Sequence, residues 1–203
     1  MDGIYDCYIS AGVSGEESFS RDFINNYNLN EYNSFAFDGT INNYSYNFTK
    51  KISFIKKNIN SFNDDDNCNL SFLTEKFNNI FLKIDIEGGE YPWLLNISEE
   101  QLKKFKQIVI EFHGITNDGW NSTYCDKVKC LEKISNTHYI VHANNWSFVV
   151  NNIPDVIELT YINKNYFNSV PELNKHPLPT PNLDFPNNTN IPDVNLNYPP
   201  FVY

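Results

Sequence analysis

The chain has no run of about 18 apolar residues, so it carries no candidate transmembrane helix. Its opening, MDGIYDCYIS, lacks both a basic start and a long apolar stretch. That argues against a secretory signal there and for an intracellular protein. Excess positive charge is missing too: 15 Lys and Arg face 25 Asp and Glu, a formal net charge of -10. A protein that grips phosphate backbones needs a basic face, so nucleic acid is not an expected partner. The four cysteines (Cys7, Cys68, Cys125, Cys130) have no C-x-x-C spacing, which favours free thiols over a zinc site. No internal repeat is present.

What the chain does have is enough apolar material for one domain: 203 residues, 41% hydrophobic and 16% aromatic. Asparagine is about one residue in six. Ile, Lys, Tyr and Phe are also plentiful, and all five have A/T-rich codons. The N-x-S/T triplets at Asn43, Asn47, Asn69, Asn96, Asn121, Asn145 and Asn187 therefore carry no weight as glycosylation signals.

Apolar runs alternate with helical periodicity. Strands are expected at 4–11, 34–37, 80–86, 107–112, 139–143 and 156–162, with a weaker one within 47–54. Between them, Phe19, Phe23, Ile24 and Tyr27 recur at helical spacing, with Ser14 or Ser18 as a candidate cap. A short helix is expected at 70–77 and another at 122–135. A stretch at 90–105 takes Pro92 in its first turn. It breaks near Asn96, and Ser98-Glu99-Glu100-Gln101 restarts it as a capping box. Residues 63–69 read as loop. This order predicts a doubly wound α/β domain with a largely parallel sheet over 1–163. The link 144–155 suits a hairpin, which predicts an antiparallel edge strand. From 164 to 203 the chain is rich in Pro and Asn and cannot hold regular structure for long. Its aromatics (Phe167, Phe185, Tyr198, Phe201, Tyr203) suggest a tail lying on the domain.

The most informative stretch is LKIDIEGGEYPWL, Leu82 to Leu94. A buried strand runs into Asp85, Glu87 and Glu90 around Gly88 and Gly89. Acids there stand at the carboxyl end of the sheet, where open α/β sheets bind ligands. The first strand-to-helix turn, SAGVSGEE, offers Gly12, Ser14 and Gly15 for close backbone approach. Asp38 ends the second strand, where an acid accepts hydrogen bonds from ribose hydroxyls. Thr40 opens the loop after it. Glu16 and Glu17 at the helix start would repel phosphate. An adenosine ligand without phosphates, such as the sulfonium S-adenosylmethionine, fits better.

The blocks DCYISAGVSGEESF, FAFDGT, LKIDIEGGEYPWL, QIVIEFH and HANN, in that order, resemble the FkbM-type class of S-adenosylmethionine-dependent methyltransferases from Tyr5 to Asn163. The resemblance implies a seven-stranded class I Rossmann-like sheet of order 3-2-1-4-5-7-6 and O-methylation of sugar hydroxyls. It assigns Gly12 to the cofactor loop, Asp38 to the ribose, and Asp85 to the end of the fourth strand. Glu111 and His113 match the block ending the fifth. One departure is the loop start: many class I enzymes have an acid there, and this chain has Tyr8 and Ser10.

The expected cofactor set is thus Gly12, Ser14, Gly15, Asp38, Thr40 and Asp85, and the expected catalytic set Asp85, Glu111 and His113. A sugar hydroxyl is a poor nucleophile until a base or a metal activates it. Two arrangements stay open. In one, His113 or Asp85 takes the proton directly. In the other, Asp85, Glu111 and His113 hold Mg²⁺ or Mn²⁺. His142, Asn144 and Trp120 are further candidates for an acceptor pocket. The expected acceptor is a carbohydrate or glycoconjugate. A non-sugar small molecule or protein acceptor, and a Rossmann-like binding module without catalysis, are the competing readings.

Overall fold

The computed structural model describes residues 4–13, 15–44, 51–146, 149–151, 153–187 and 189–203. Seven strands form the central sheet: β1 (Cys7–Ala11), β2 (Ser34–Phe37), β3 (Ser53–Ile55), β4 (Ile80–Ile84), β5 (Phe105–His113), β6 (His138–Asn145) and β7 (Val156–Asn163). Their spatial order is β3-β2-β1-β4-β5-β7-β6. The five strands from β3 to β5 run parallel. β7 is antiparallel to both β5 and β6, so the expected antiparallel pairing is the β6–β7 hairpin, with β7 inserted one place in from the edge.

Among the described residues five α-helices accompany the sheet: α1 (Ser18–Asn26), α2 (Ser71–Lys76), α3 (Glu90–Asn96), α4 (Glu99–Leu102) and α5 (Tyr124–Thr137). The larger core lies between one sheet face and α2 to α5. It joins Ile9, Leu82, Ile84, Ile110 and Phe112 to Tyr91, Trp93, Leu94, Cys130 and Ile134. On the other face, Phe23 and Ile24 of α1 pack on Tyr8, Ala36 and Phe81. Burying each such side chain contributes roughly 1.5–3 kcal/mol. Two of the four residues at helical spacing, Phe23 and Ile24, are buried, while Phe19 and Tyr27 stay substantially exposed.

Several boundaries follow local chemistry. The break at Asn96 is present, and α4 starts on the expected capping box: Ser98 Oγ accepts from the Gln101 N–H, and Gln101 Oε1 from the Ser98 N–H. α5 starts later than expected because Thr123 caps it, accepting from the Asp126 N–H. α1 has no side-chain cap from its N-cap residue, Glu17; Ser18 lies inside the helix, and Ser14 lies outside the described residues. Glu16 accepts from the Ser18 N–H and hydroxyl instead. The first part of the expected strand at 47–54 also lies outside the described residues, and pairing with β2 begins at Ser53. The segment 63–69 is not all loop, since Asn67–Cys68 pairs with Asn58–Ile59 in a small parallel ribbon. All four cysteines are free thiols.

The tail returns to the domain at β6. Leu196 is fully buried, and Leu178, Tyr198 and Phe201 pack on the main core. Asn145 Nδ2 donates to the Val194 carbonyl and its Oδ1 accepts from the Val194 N–H. Among the described residues no helix is long and apolar enough to cross a membrane.

Candidate active site

Parallel pairing brings the carboxyl ends of β1, β2 and β4 together. Asp85 N–H continues the ladder to the Ala11 carbonyl, and Gly12 N–H continues it to the Phe37 carbonyl. A cavity of about 340 Å³ opens at these ends, lined by Gly12, Asp38, Thr40, Asp85, Ile86 and Glu87 among others. Gly12 has φ +77°, and a Cβ there would lie 1.6 Å from the Asp85 carbonyl oxygen. Only glycine lets the two strand ends meet this closely. Asp38 is held by its neighbour: Oδ1 accepts from the Thr40 N–H at 2.7 Å and the Thr40 hydroxyl at 2.6 Å. Both of these bonds fall on the same oxygen. Gly15 is exposed and lies outside the cavity lining.

Four candidates from the sequence, Gly12, Asp38, Thr40 and Asp85, therefore share one cavity. Another part of its wall was not legible beforehand: Lys57, Asn58, Ile59, Asn60 and Asn67 lie in or beside the small ribbon, and Asn121 in the loop after β5. Two-residue strands leave no periodicity to detect. Glu17, read from sequence as an acid at the helix start that would repel phosphate, is buried and accepts from the Ser20 and Tyr44 hydroxyls.

Beside the cavity stands a second constellation. His113 ends β5 and is buried among four carboxylates. Its Nε2 lies 3.3 Å from Glu111, 3.4 Å from Glu87 and 3.9 Å from Asp85, and its Nδ1 is 3.4 Å from Glu90. The Trp120 ring lies over the imidazole at 5.0 Å between centroids. Tyr91 fixes the strand end by donating to the His113 carbonyl. Lys127 fixes the following loop through the Gly114 and Asn117 carbonyls. Glu90 is more than a first-turn acid: it is fully buried, and its Oε1 accepts from the Ile86 N–H. Glu87 is largely exposed at the rim.

The electrostatics separate the roles. Burial alone would depress the His113 pKa, but the bonds and charges of Glu111 and Glu90 outweigh it and raise it to about 10. Without a cation in the cluster, the imidazole is protonated at neutral pH and cannot accept a proton. Asp85 is pushed up to about 6, by burial first and by Glu111 next. It is the group here whose charge changes nearest neutrality.

Both implied ligands pass a test of fit. For the cofactor, Gly12 lets the strand ends that line the cavity meet closely, and the acids Asp38, Asp85 and Glu87 suit a sulfonium. For a divalent cation, Asp85, Glu111 and His113 offer ligand atoms within 4.8 Å of one another. The buried Asp85 Oδ1 has no hydrogen-bond partner. Two carboxylates with an imidazole favour Mn²⁺ over Mg²⁺, which prefers all-oxygen surroundings. A groove of about 320 Å³ between β6 and the tail contains none of the residues of the cofactor or catalytic sets.

A family model described as the methyltransferase FkbM domain matches residues 4–129, which include all the residues discussed at this site. No curated protein matches the chain.

Proposed function

The chain belongs to the FkbM methyltransferase family, and we propose that it transfers the methyl group of S-adenosylmethionine to a hydroxyl of a carbohydrate or glycoconjugate. One observation carries this reading. Asp85 lines the cavity that holds Gly12 and Asp38 and also stands at the edge of the His113 cluster. The same carboxylate thus reaches both the methyl donor's site and the place where an acceptor hydroxyl must be activated.

The bound cofactor would supply a methyl group on a positively charged sulfur, open to in-line displacement. Asp38 would hold the ribose hydroxyls through its second oxygen, with Thr40 fixing the carboxylate's orientation. Gly12 would hold Asp85 at the cavity by letting the two strand ends meet. Such positioning supplies much of the acceleration in a displacement of this kind. Asp85, with its pKa near 6, takes the hydroxyl proton. In the metal-free form the His113 cation offsets part of the repulsion between Glu111 and Asp85. With a divalent cation present, Asp85, Glu111 and His113 would hold it, and it would acidify and orient the hydroxyl.

The test is a screen of sugars and glycoconjugates with labelled S-adenosylmethionine, run beside calorimetry of cofactor binding. Asp85→Asn should abolish transfer, and Asp38→Ala should mainly weaken cofactor binding. Failure of both S-adenosylmethionine and its demethylated product to bind at millimolar concentration would refute the enzyme reading. Equal loss of cofactor affinity in the two variants would refute the assigned roles.

A further inference from the structure

The two faces of the sheet are covered unequally. α2 to α5, with the tail, cover most of one face. On the other face, among the described residues, α1 and the segments around Tyr5, Val13 and Ile52 pack over β1, β2 and β4. Beyond these, strand neighbours alternate in exposure. Ile110, Phe112, Ile157, Leu159 and Ala143 are buried against the helices, while Lys83, Val109, Glu111, Glu158, Thr160, His142 and Asn144 are only half-buried.

Register turns these residues into two rows. Glu111 lies opposite Glu158, and Glu158 opposite Asn144. One step down, Lys83 pairs with Val109, Val109 with Thr160, and Thr160 with His142. Asp85 continues the upper row towards the cofactor cavity, two residues after Lys83 on the same side of its strand. The far end is closed by the tail, where Asp184 Oδ1 lies 2.8 Å from His142 Nε2. Between the rows and α1 is a cavity of about 330 Å³ lined by Phe19, Phe81, Lys83, Gln107, Val109, Glu158 and Thr160. Three polar groups on this surface, the Lys83 ammonium, the Glu158 carboxylate and the Thr160 hydroxyl, have no hydrogen bond or ion pair with the described residues. These groups line a cavity that begins next to the His113 cluster, within reach of a ligand bound there.

We infer that this polar strip binds the acceptor: sugar units linked to the methylated one lie along Glu111, Glu158 and Asn144, with Lys83, Thr160 and His142 beneath. The inference rests on the carbohydrate reading above and deepens it, because it makes the acceptor an oligosaccharide chain rather than a free monosaccharide. At the usual strand spacing the row from Asp85 to Asn144 is about 14 Å long, room for roughly three linked pyranose rings. Its chemistry suits hydroxyl-rich ligands. Donors and acceptors alternate across it, and the half-exposed Phe19 ring offers a flat apolar surface to the C–H face of a sugar. A nucleic acid is disfavoured by Glu111 and Glu158, which would repel phosphates.

The test compares maltotriose, mannotriose and chitotriose with glucose, mannose and N-acetylglucosamine. Binding is measured by calorimetry and methyl transfer with labelled S-adenosylmethionine. The protein should prefer a trisaccharide over its monosaccharide, mainly through KM. The double variant Lys83→Met/Thr160→Val should lose about tenfold or more in trisaccharide affinity, from two or three lost hydrogen bonds. Glu158→Gln, which conserves shape, is the second variant in case the first does not fold. Equal use of the two sugar sizes, or unchanged trisaccharide affinity in both variants, would overturn the strip while leaving the methyltransferase reading intact. Trisaccharide binding that the variants abolish, without methyl transfer to any sugar, would support the strip and overturn the activity. Absence of both binding and transfer would overturn both.

Discussion

Replacing Gly12 by alanine tests how the proposed cofactor cradle is built. At φ +77° an L-residue is strained by roughly 1–2 kcal/mol. The added Cβ would sit 1.6 Å from the Asp85 carbonyl oxygen, and real Cβ contacts are not found below 3.0 Å. The two strand ends must therefore part by at least 1.4 Å, the difference between those distances. Two ladder bonds flank the contact: Gly12 N–H to the Phe37 carbonyl and Asp85 N–H to the Ala11 carbonyl, both 3.0 Å. Losing them adds about 1 kcal/mol each. The total is about 3–4 kcal/mol, a large part of an ordinary domain's stability. For a chain of this length that lowers Tm by about 10 °C. Gly15→Ala is the control, because nothing lies within 4 Å of its added Cβ, and it should change stability by less than about 0.5 kcal/mol. Urea denaturation and S-adenosylmethionine titration of both variants give the answer. Gly12→Ala should lose stability and cofactor affinity together, since Asp85 moves with the strand end. Two variants that behave alike would refute the cradle as described.

Two other outcomes are expected. If Asp85, Glu111 and His113 hold a cation, Mn²⁺ at about 100 times its Kd should raise Tm by roughly 5–10 °C, and Glu111→Gln should erase that shift; no shift with millimolar Mn²⁺ or Mg²⁺ would remove the metal arrangement. His138 supplies an acid-stability test. Burial, first of all, lowers its pKa to about 4, and the neutral ring is fully satisfied by the Phe105 carbonyl and the Thr137 hydroxyl. The unfolded chain takes a proton near pH 6.5 and the folded chain does not. Stability therefore falls as pH drops below 6.5, and the loss is complete below about 4. From pH 7 to 5 the wild type should lose about 2 kcal/mol more than His138→Gln in denaturant titrations, and parallel pH profiles would contradict it.

Much of the architecture was legible in advance where local chemistry is strong. The strand at Ser34–Phe37 has the expected bounds, and the capping box at Ser98 starts α4. Apolar alternation and caps are short-range signals, so they survive in one dimension. The candidate site was half legible. Asp38 and Asp85 were visible because they end apolar runs. Glu90 was not, because an acid in a first helical turn looks the same whether it faces water or a buried histidine. The ribbon at 58–59 and 67–68 was hidden for want of length.

The chain by itself decided the order of strands and helices, and through the blocks around Gly12, Asp85 and Glu111 the family, since these depend on residue type and spacing along the backbone. Tertiary structure alone decided which acids meet. Parallel pairing of β4 with β5 carried Asp85 and Glu111 to one edge, and the turn at Gly88-Gly89 folded Glu87 and Glu90 back onto His113. Four carboxylates around one imidazole change what that imidazole can do. A pKa is set by neighbours in space and by burial, and neither is written in the sequence.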